Sequence, residues 1–233
     1  MKKLSLKTPE EIKIMAEGGA KLRRVRKALM AKVAAGVSAL EIEELADKLI
    51  KGEGAVPSFK MVPGYSWATC VNINDGIVHG IPKKEMIFKD GDVVSVDVGL
   101  FYRGFHTDTS DTVLIGRDPE KSRFLECGRK ALKEAIGQAK PGKHISDISR
   151  AIESTIVGGG FSPIRMLVGH GVGRELHEAP AVPCFVGKKS SDDVLLETGL
   201  VIAIEIMYAM GKPDLVTDRD GWTIRSRDGK ITA

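Results

Sequence analysis

The sequence predicts a mixed α/β chain built from two similar halves, approximately residues 8–115 and 118–233. First, a long helix, a shorter helix and strand-like text follow one another twice. Second, residues 36–42 match 142–148, with an acid before the isoleucine in each (Glu41-Ile42, Asp147-Ile148), and residues 91–98 match 199–206, with Asp97 and Glu205 at the same place. Both matches have almost one spacing, the mark of an internal duplication. No Ser-, Gly- or Pro-rich linker separates the halves, so residues 1–233 are expected to pack as a single domain about an approximate two-fold axis, with a cleft between the halves.

Each element has a local reason. Thr8-Pro9-Glu10-Glu11 opens the first helix: threonine caps it, proline suits the first helical position and Glu11 completes a capping box. That helix runs to about residue 34. Ser38 with Glu41 is a second capping box, and Gly52 closes the helix it opens. Strand-like text continues to Ile115. Asp118-Pro119 starts a third helix, ended by Pro141-Gly142, and a fourth spans Ser146 to Val157 before three glycines.

Composition narrows the function classes. The 233 residues are 42% hydrophobic and 28% charged, a balance that excludes a disordered or fibrous chain. A net charge of +4 is far from the basic footprint of a dedicated nucleic-acid binder, and no specific nucleic acid is expected as partner. Cys70, Cys127 and Cys184 form no C-x-x-C pair, which favours a reducing compartment. Met1-Lys2-Lys3 has no apolar run behind it, and no segment approaches the ~18 apolar residues of a membrane span. The expectation is a cytoplasmic protein with no membrane role.

Asp97 lies in the β-branched run of residues 93–98 and Glu205 in that of residues 201–207, where a carboxylate is costly to bury without a partner. A hairpin turn is expected around Tyr102-Arg103-Gly104, with Phe105-His106-Thr107-Asp108 returning. With Tyr102-Arg103 as a two-residue loop, Asp97 and Asp108 face each other across the strands; a glycine bulge at Gly104 shifts the pair by one. Like charges so placed repel, and a cation between them removes the repulsion. His170 is the imidazole to join them, in Gly169-His170-Gly171, where glycines allow close backbone approach. Oxygen and imidazole donors of this kind suit divalent metals. His79 and His177, each shortly before a proline, are placed for proton or substrate work. His106 and His144 are expected to be surface or turn residues.

As a spaced set, Val78-His79-Gly80-Ile81-Pro82, Asp97, Gly104-Phe105-His106-Thr107-Asp108-Thr109, Gly169-His170-Gly171, His177-Glu178 and Ile204-Glu205 resemble the type I methionine aminopeptidases of the short bacterial kind, from the first helix to the last residues. The resemblance implies the pita-bread fold, two αα-β halves around a central antiparallel sheet. It implies that Asp97, Asp108, His170 and Glu205 ligate two divalent cations (cobalt, manganese, iron or zinc), with Asp108 bridging. It makes His79 and His177 the histidines that contact the peptide, while a metal-activated water attacks its first bond. It implies an apolar methionine pocket lined by Tyr65, Cys70 and Trp222; Phe59 stands where that family often has cysteine, and Leu176 where it often has phenylalanine.

The implied substrate is the N-terminus of a nascent chain whose second residue is small, met near the ribosome by a monomer. The family continues beyond the position of Ala233 with an inner strand whose glutamate bridges both metals. On this reading that strand is missing here, and only one cation is expected to be fully held. Two alternatives stay open: a catalytically impaired pita-bread binding protein, and a proline-specific aminopeptidase, whose usual extra N-terminal domain has no room before Thr8.

Overall fold

Two helices lie on one face of an antiparallel sheet in each half of the chain. The computed structural model describes residues 4–187 and 193–233, so Met1-Lys2-Lys3, the polar start noted above, lies outside the described residues. Helix α1 (Pro9–Lys32) has the expected capping box: Glu11 N–H donates to Thr8 Oγ1 at 3.3 Å and Thr8 N–H to Glu11 Oε2 at 2.9 Å. Helix α2 (Ala39–Gly52) is capped the same way by Ser38 and Glu41. Helix α3 (Pro119–Gln138) is capped by the Asp118 carboxylate, and α4 (Ile145–Gly158) follows it closely.

The strands of the first half are β1 (Val56–Pro57), β2 (Thr69–Ile73), β3 (Gly76–Val78), β4 (Val93–Tyr102) and β5 (Phe105–Leu114). Those of the second are β6 (Ser162–Pro163), β7 (Val168–Gly171), β8 (Glu178–Pro183), β9 (Ile202–Ala203), β10 (Tyr208–Ala209), β11 (Leu215–Thr217) and β12 (Ile224–Ser226). All pairings between them are antiparallel. Strand β4 is the spine of the first half, with β1 and β2 on one edge and β5 on the other. In the second half β7 lies between β8 and β9, and β3 crosses over to pair with β12.

Two large apolar clusters follow the same division. Leu22, Val25 and Leu29 of α1 and Ile42, Ala46 and Ile50 of α2 pack on alternate residues of β4: Val94, Val96, Val98 and Leu100. Phe124 of α3 and Ile148, Ile152 and Ile156 of α4 build the second cluster with Val182, Met207 and Tyr208. The strand-like text at residues 199–206 forms ladder pairs only at Ile202–Ala203, where β7 comes close enough to bond. Among the described residues no helix is long and apolar enough to cross a membrane.

Candidate active site

Because every second residue of β4 is committed to the helices, Ser95 and Asp97 face the other way, into the molecule's cleft, and Gly99 faces Phe59. The hairpin register differs from the expected one. Asp97 is opposite Ser110, and Asp108 is opposite Gly99. The turn residues are Arg103 and Gly104, with φ of 49° and 90°, not Tyr102 and Arg103. A type I′ turn needs positive φ at both central positions, and this choice puts the glycine at one of them. Asp97 and Asp108 are therefore diagonal neighbours on one face of the sheet rather than direct partners, still close enough for each to affect the other.

The second half brings His170 and Glu205 to the same place. A Cβ on Gly169 would stand 2.4 Å from Ala203 O and 3.3 Å from Glu205 N, and one on Gly171 2.3 Å from Ala179 O. Only glycine on both sides of His170 lets the backbones of β8 and β9 approach that strand. The His170 Nδ1–H donates to Gly171 O at 2.8 Å, which turns Nε2 toward the carboxylates. Nε2 lies 3.2 Å from Glu205 Oε1 and 3.7 Å from Asp108 Oδ2.

Burial pushes the Asp97 carboxyl well above the usual carboxylate range, and the charges of Asp108 and Glu205 push it further. Asp108 is raised for the same two reasons, burial and then the Glu205 charge, although His170 pulls against them. Burial lowers the His170 pKa, but the hydrogen bonds to Glu205 and Gly171 and the nearby carboxylate charges outweigh it, and the net shift is upward. Three carboxylates thus share one neutralising partner; among the described residues no lysine or arginine is ion-paired with any of them. Asp108 Oδ1 is buried with no hydrogen-bond partner. An orphaned carboxylate oxygen inside an excess of negative charge fits a hard divalent cation. Among the described residues no three His, Cys, Asp or Glu side chains are closed around a point as a finished cage. The cleft holds about 420 Å³ and is lined by Asp97, Asp108, Ile204 and Glu205 among others.

An apolar cluster adjoins it. Cys70 of β2 is directly opposite Asp97 of β4, so one ladder pair joins the two. Phe59, Tyr65, Cys70 and Leu176 are buried together, with Trp222 and Ile81 packed against them. All five residues named from the sequence for this pocket are in the cluster. Phe59 lies flat on β4 because residue 99 is glycine: a Cβ there would be 2.7 Å from its ring. The Tyr65 hydroxyl donates to Thr69 O at 2.9 Å, and the Trp222 ring stands edge-on to Tyr65 at 5.0 Å.

Each of the two expected histidines packs against a residue already placed at the site. His79 follows β3 with φ of 57° and sits edge-on to Trp222 at 6.4 Å; His177 sits edge-on to His170 at 4.4 Å. Desolvation lowers the pKa of each, helped at His177 by the His170 charge and opposed at His79 by Glu205. Both can therefore be neutral near pH 7, able to give or take one hydrogen bond at each ring nitrogen.

His106 is not a surface residue. It is buried in β5, its Nδ1 is 2.9 Å from Ser58 Oγ, and its ring leans on Phe101 at 4.6 Å. It braces the backbone just before Phe59, a role set by partners distant in sequence. His144, expected at the surface or in a turn, is instead the half-buried N-cap of α4: its N–H donates to Asp147 at 3.0 Å and its backbone bridges to Leu195.

Residues 13–229 match the model of metallopeptidase family M24. The methionine aminopeptidase of Aquifex aeolicus (strain VF5) is 42% identical over 205 residues, covering 85% of this chain and 80% of that protein. Methionine aminopeptidase 1 of Bacillus subtilis (strain 168) is 37% identical over 228 residues, 97% of this chain and 91% of that protein. The crystal structure of the methionine aminopeptidase from Thermotoga maritima superposes with a TM-score of 0.95 at 38% identity, covering 99% of this chain and 92% of that one.

Proposed function

The chain belongs to metallopeptidase family M24, and from that premise we infer that it is a metal-dependent aminopeptidase that removes the N-terminal methionine from nascent proteins and peptides with a small second residue. Its pita-bread fold is that of the methionine aminopeptidase structure it matches. Relatives bearing that name over most of the chain do not favour the binding-protein or proline-specific readings. The observation that carries the reading further is one ladder pair, Cys70 opposite Asp97, which sets an apolar cluster beside the carboxylates.

Asp97, Asp108, His170 and Glu205 are the residues we assign to a dinuclear divalent-cation site, of cobalt, manganese, iron or zinc, in which this set fully holds one cation. When bound, such cations supply Lewis acidity and an activated water. The chain's own residues do the rest. Tyr65, Phe59, Cys70, Leu176 and Trp222 receive the methionine side chain and exclude water from it. A pocket of this kind selects by burial at ~1–3 kcal/mol per methylene, so near-isosteres of methionine should enter too. His79 and His177 hydrogen-bond the first peptide group and hold it in line. The free N-terminus of a nascent chain is the partner, and we place the work in the cytoplasm near the ribosome, done by a monomer.

The test is release of free methionine from Met-Ala-Ser with each of the four cations in turn. Release that depends on metal, with little from N-acetylated or leucine-initiated versions, is expected. No release with any cation, or equal release of leucine, overturns the reading.

A further inference from the structure

Residues 5–11 precede every element of the site, yet they are fastened to the loop that joins β7 to β8. The Lys7 ammonium pairs with the Glu178 carboxylate, and the two side chains are 0% and 7% exposed. Lys7 Nζ also donates to Ser5 O at 2.8 Å. Its methylene chain fills the space left by Gly173, where an added Cβ would stand 2.2 Å from Lys7 Cε. Arg174 Nη1 donates to Ser5 Oγ at 3.0 Å, and Arg174 is ion-paired with Glu11. Lys7 is itself held, its N–H donating to Gly199 O at 2.8 Å. The loop so gripped contains Leu176 and His177, and Glu178 is the next residue in the chain.

Stability alone is a poor reason for such a pair, because the desolvation of two buried charges offsets much of their attraction. What the pair does supply is one geometry for the loop. We propose that Lys7 is a positioning residue: through Glu178 and Gly173 it sets the loop so that His177 stands against His170 and Leu176 closes the apolar pocket. Lys7 touches neither the pocket nor the carboxylate cluster. The part concerning turnover rests on the aminopeptidase reading of His177.

The experiment compares the full chain with Lys7→Met, which keeps length and removes charge, alone and combined with His177→Ala, on Met-Ala-Ser with manganese. In the parent background kcat should fall roughly tenfold to a hundredfold, as for a displaced reacting group, with KM changed by less than about threefold. In the His177→Ala background the same substitution should change kcat by less than about twofold, since residues acting through one another are not additive. An equal loss in both backgrounds overturns the proposal. Gly173→Ala, which crowds Lys7 out, reads the same effect if Lys7→Met does not fold. NMR of histidine ring carbons supplies an arm without turnover: Lys7→Met should move the His177 signal and leave that of His144 in place. An unmoved His177 signal sinks the proposal. If the parent releases no methionine, the aminopeptidase reading fails, while the ring signals still decide whether Lys7 positions the loop.

Discussion

Asp108 Oδ2 lies 3.7 Å from His170 Nε2, one residue on β5 of the first half and the other on β7 of the second. The two halves thus meet through charged side chains at the very point where burial and like charges make ionised carboxylates costly. Neither half alone assembles the set. A duplicated chain places one acid per half at the same position, and the cleft between the halves brings them together.

Asp108→Asn tests that arrangement from the metal side. The parent should gain thermal stability when manganese or cobalt is added, because a cation binding only the folded state stabilises it by mass action. The variant should lose most of that gain and nearly all metal-dependent methionine release. Activity within about tenfold of the parent, on a scale where one factor of ten is about 1.4 kcal/mol, would contradict the assignment.

His79 should matter for turnover and not for metal. Its backbone has φ of 57°, a conformation asparagine tolerates well, so His79→Asn removes the imidazole without a large backbone penalty. Methionine release should slow by roughly 10²-fold or more, in the range for a lost proton-transfer or hydrogen-bonding group. Metal content by elemental analysis should stay at the parent's value; its loss would make His79 a ligand instead.

Much of this architecture is legible in local signals. Thr8 with Glu11 and Ser38 with Glu41 announce their helices because a capping box is a four-residue event. The alternation along β4 and the glycines beside His170 are equally local. The hairpin register was not legible, since Tyr102-Arg103 and Arg103-Gly104 are both available as loops and only the positive φ at both turn positions decides between them. The burial of His106 depends on Ser58, and that of Lys7 on Glu178; no nearby residue in the sequence advertises either partner. Long-range polar pairs are decided by packing, which periodicity does not encode.

Asp220 gives a prediction in pH. Burial favours its neutral form, but the N–H groups of Trp222 and Thr223, the Thr223 hydroxyl and the Lys83 charge outweigh that and hold the carboxyl down to about 2. A folded-state pKa below the ordinary value stabilises the fold above about pH 4 and loses that effect as pH falls toward 2. Asp220→Asn should therefore lower Tm by roughly 2–4 °C at pH 6, with the gap to the parent closing between pH 4 and 2. A gap that stays constant over that range would show that the carboxylate charge is not what holds the turn. Because the turn carries Trp222 beside Tyr65, KM for Met-Ala-Ser should rise in the same variant.

Gly169→Ala asks whether the approach of β9 to β7 sets the position of Glu205. The added methyl would meet Ala203 O at 2.4 Å and Glu205 N at 3.3 Å, both backbone atoms that cannot rotate away. Overpacking of this sort costs typically ~1–3 kcal/mol, and here relief requires the segment bearing Glu205 to move. Tm should fall, and the metal concentration giving half-maximal activity should rise. Gly137→Ala is the matching control: it sits in α3 with nothing within 4 Å of the new methyl, and alanine is the better helix former, so Tm should hold or rise slightly. If Gly169→Ala lowers Tm yet leaves the metal dependence untouched, Glu205 is held by contacts other than the β7–β9 approach.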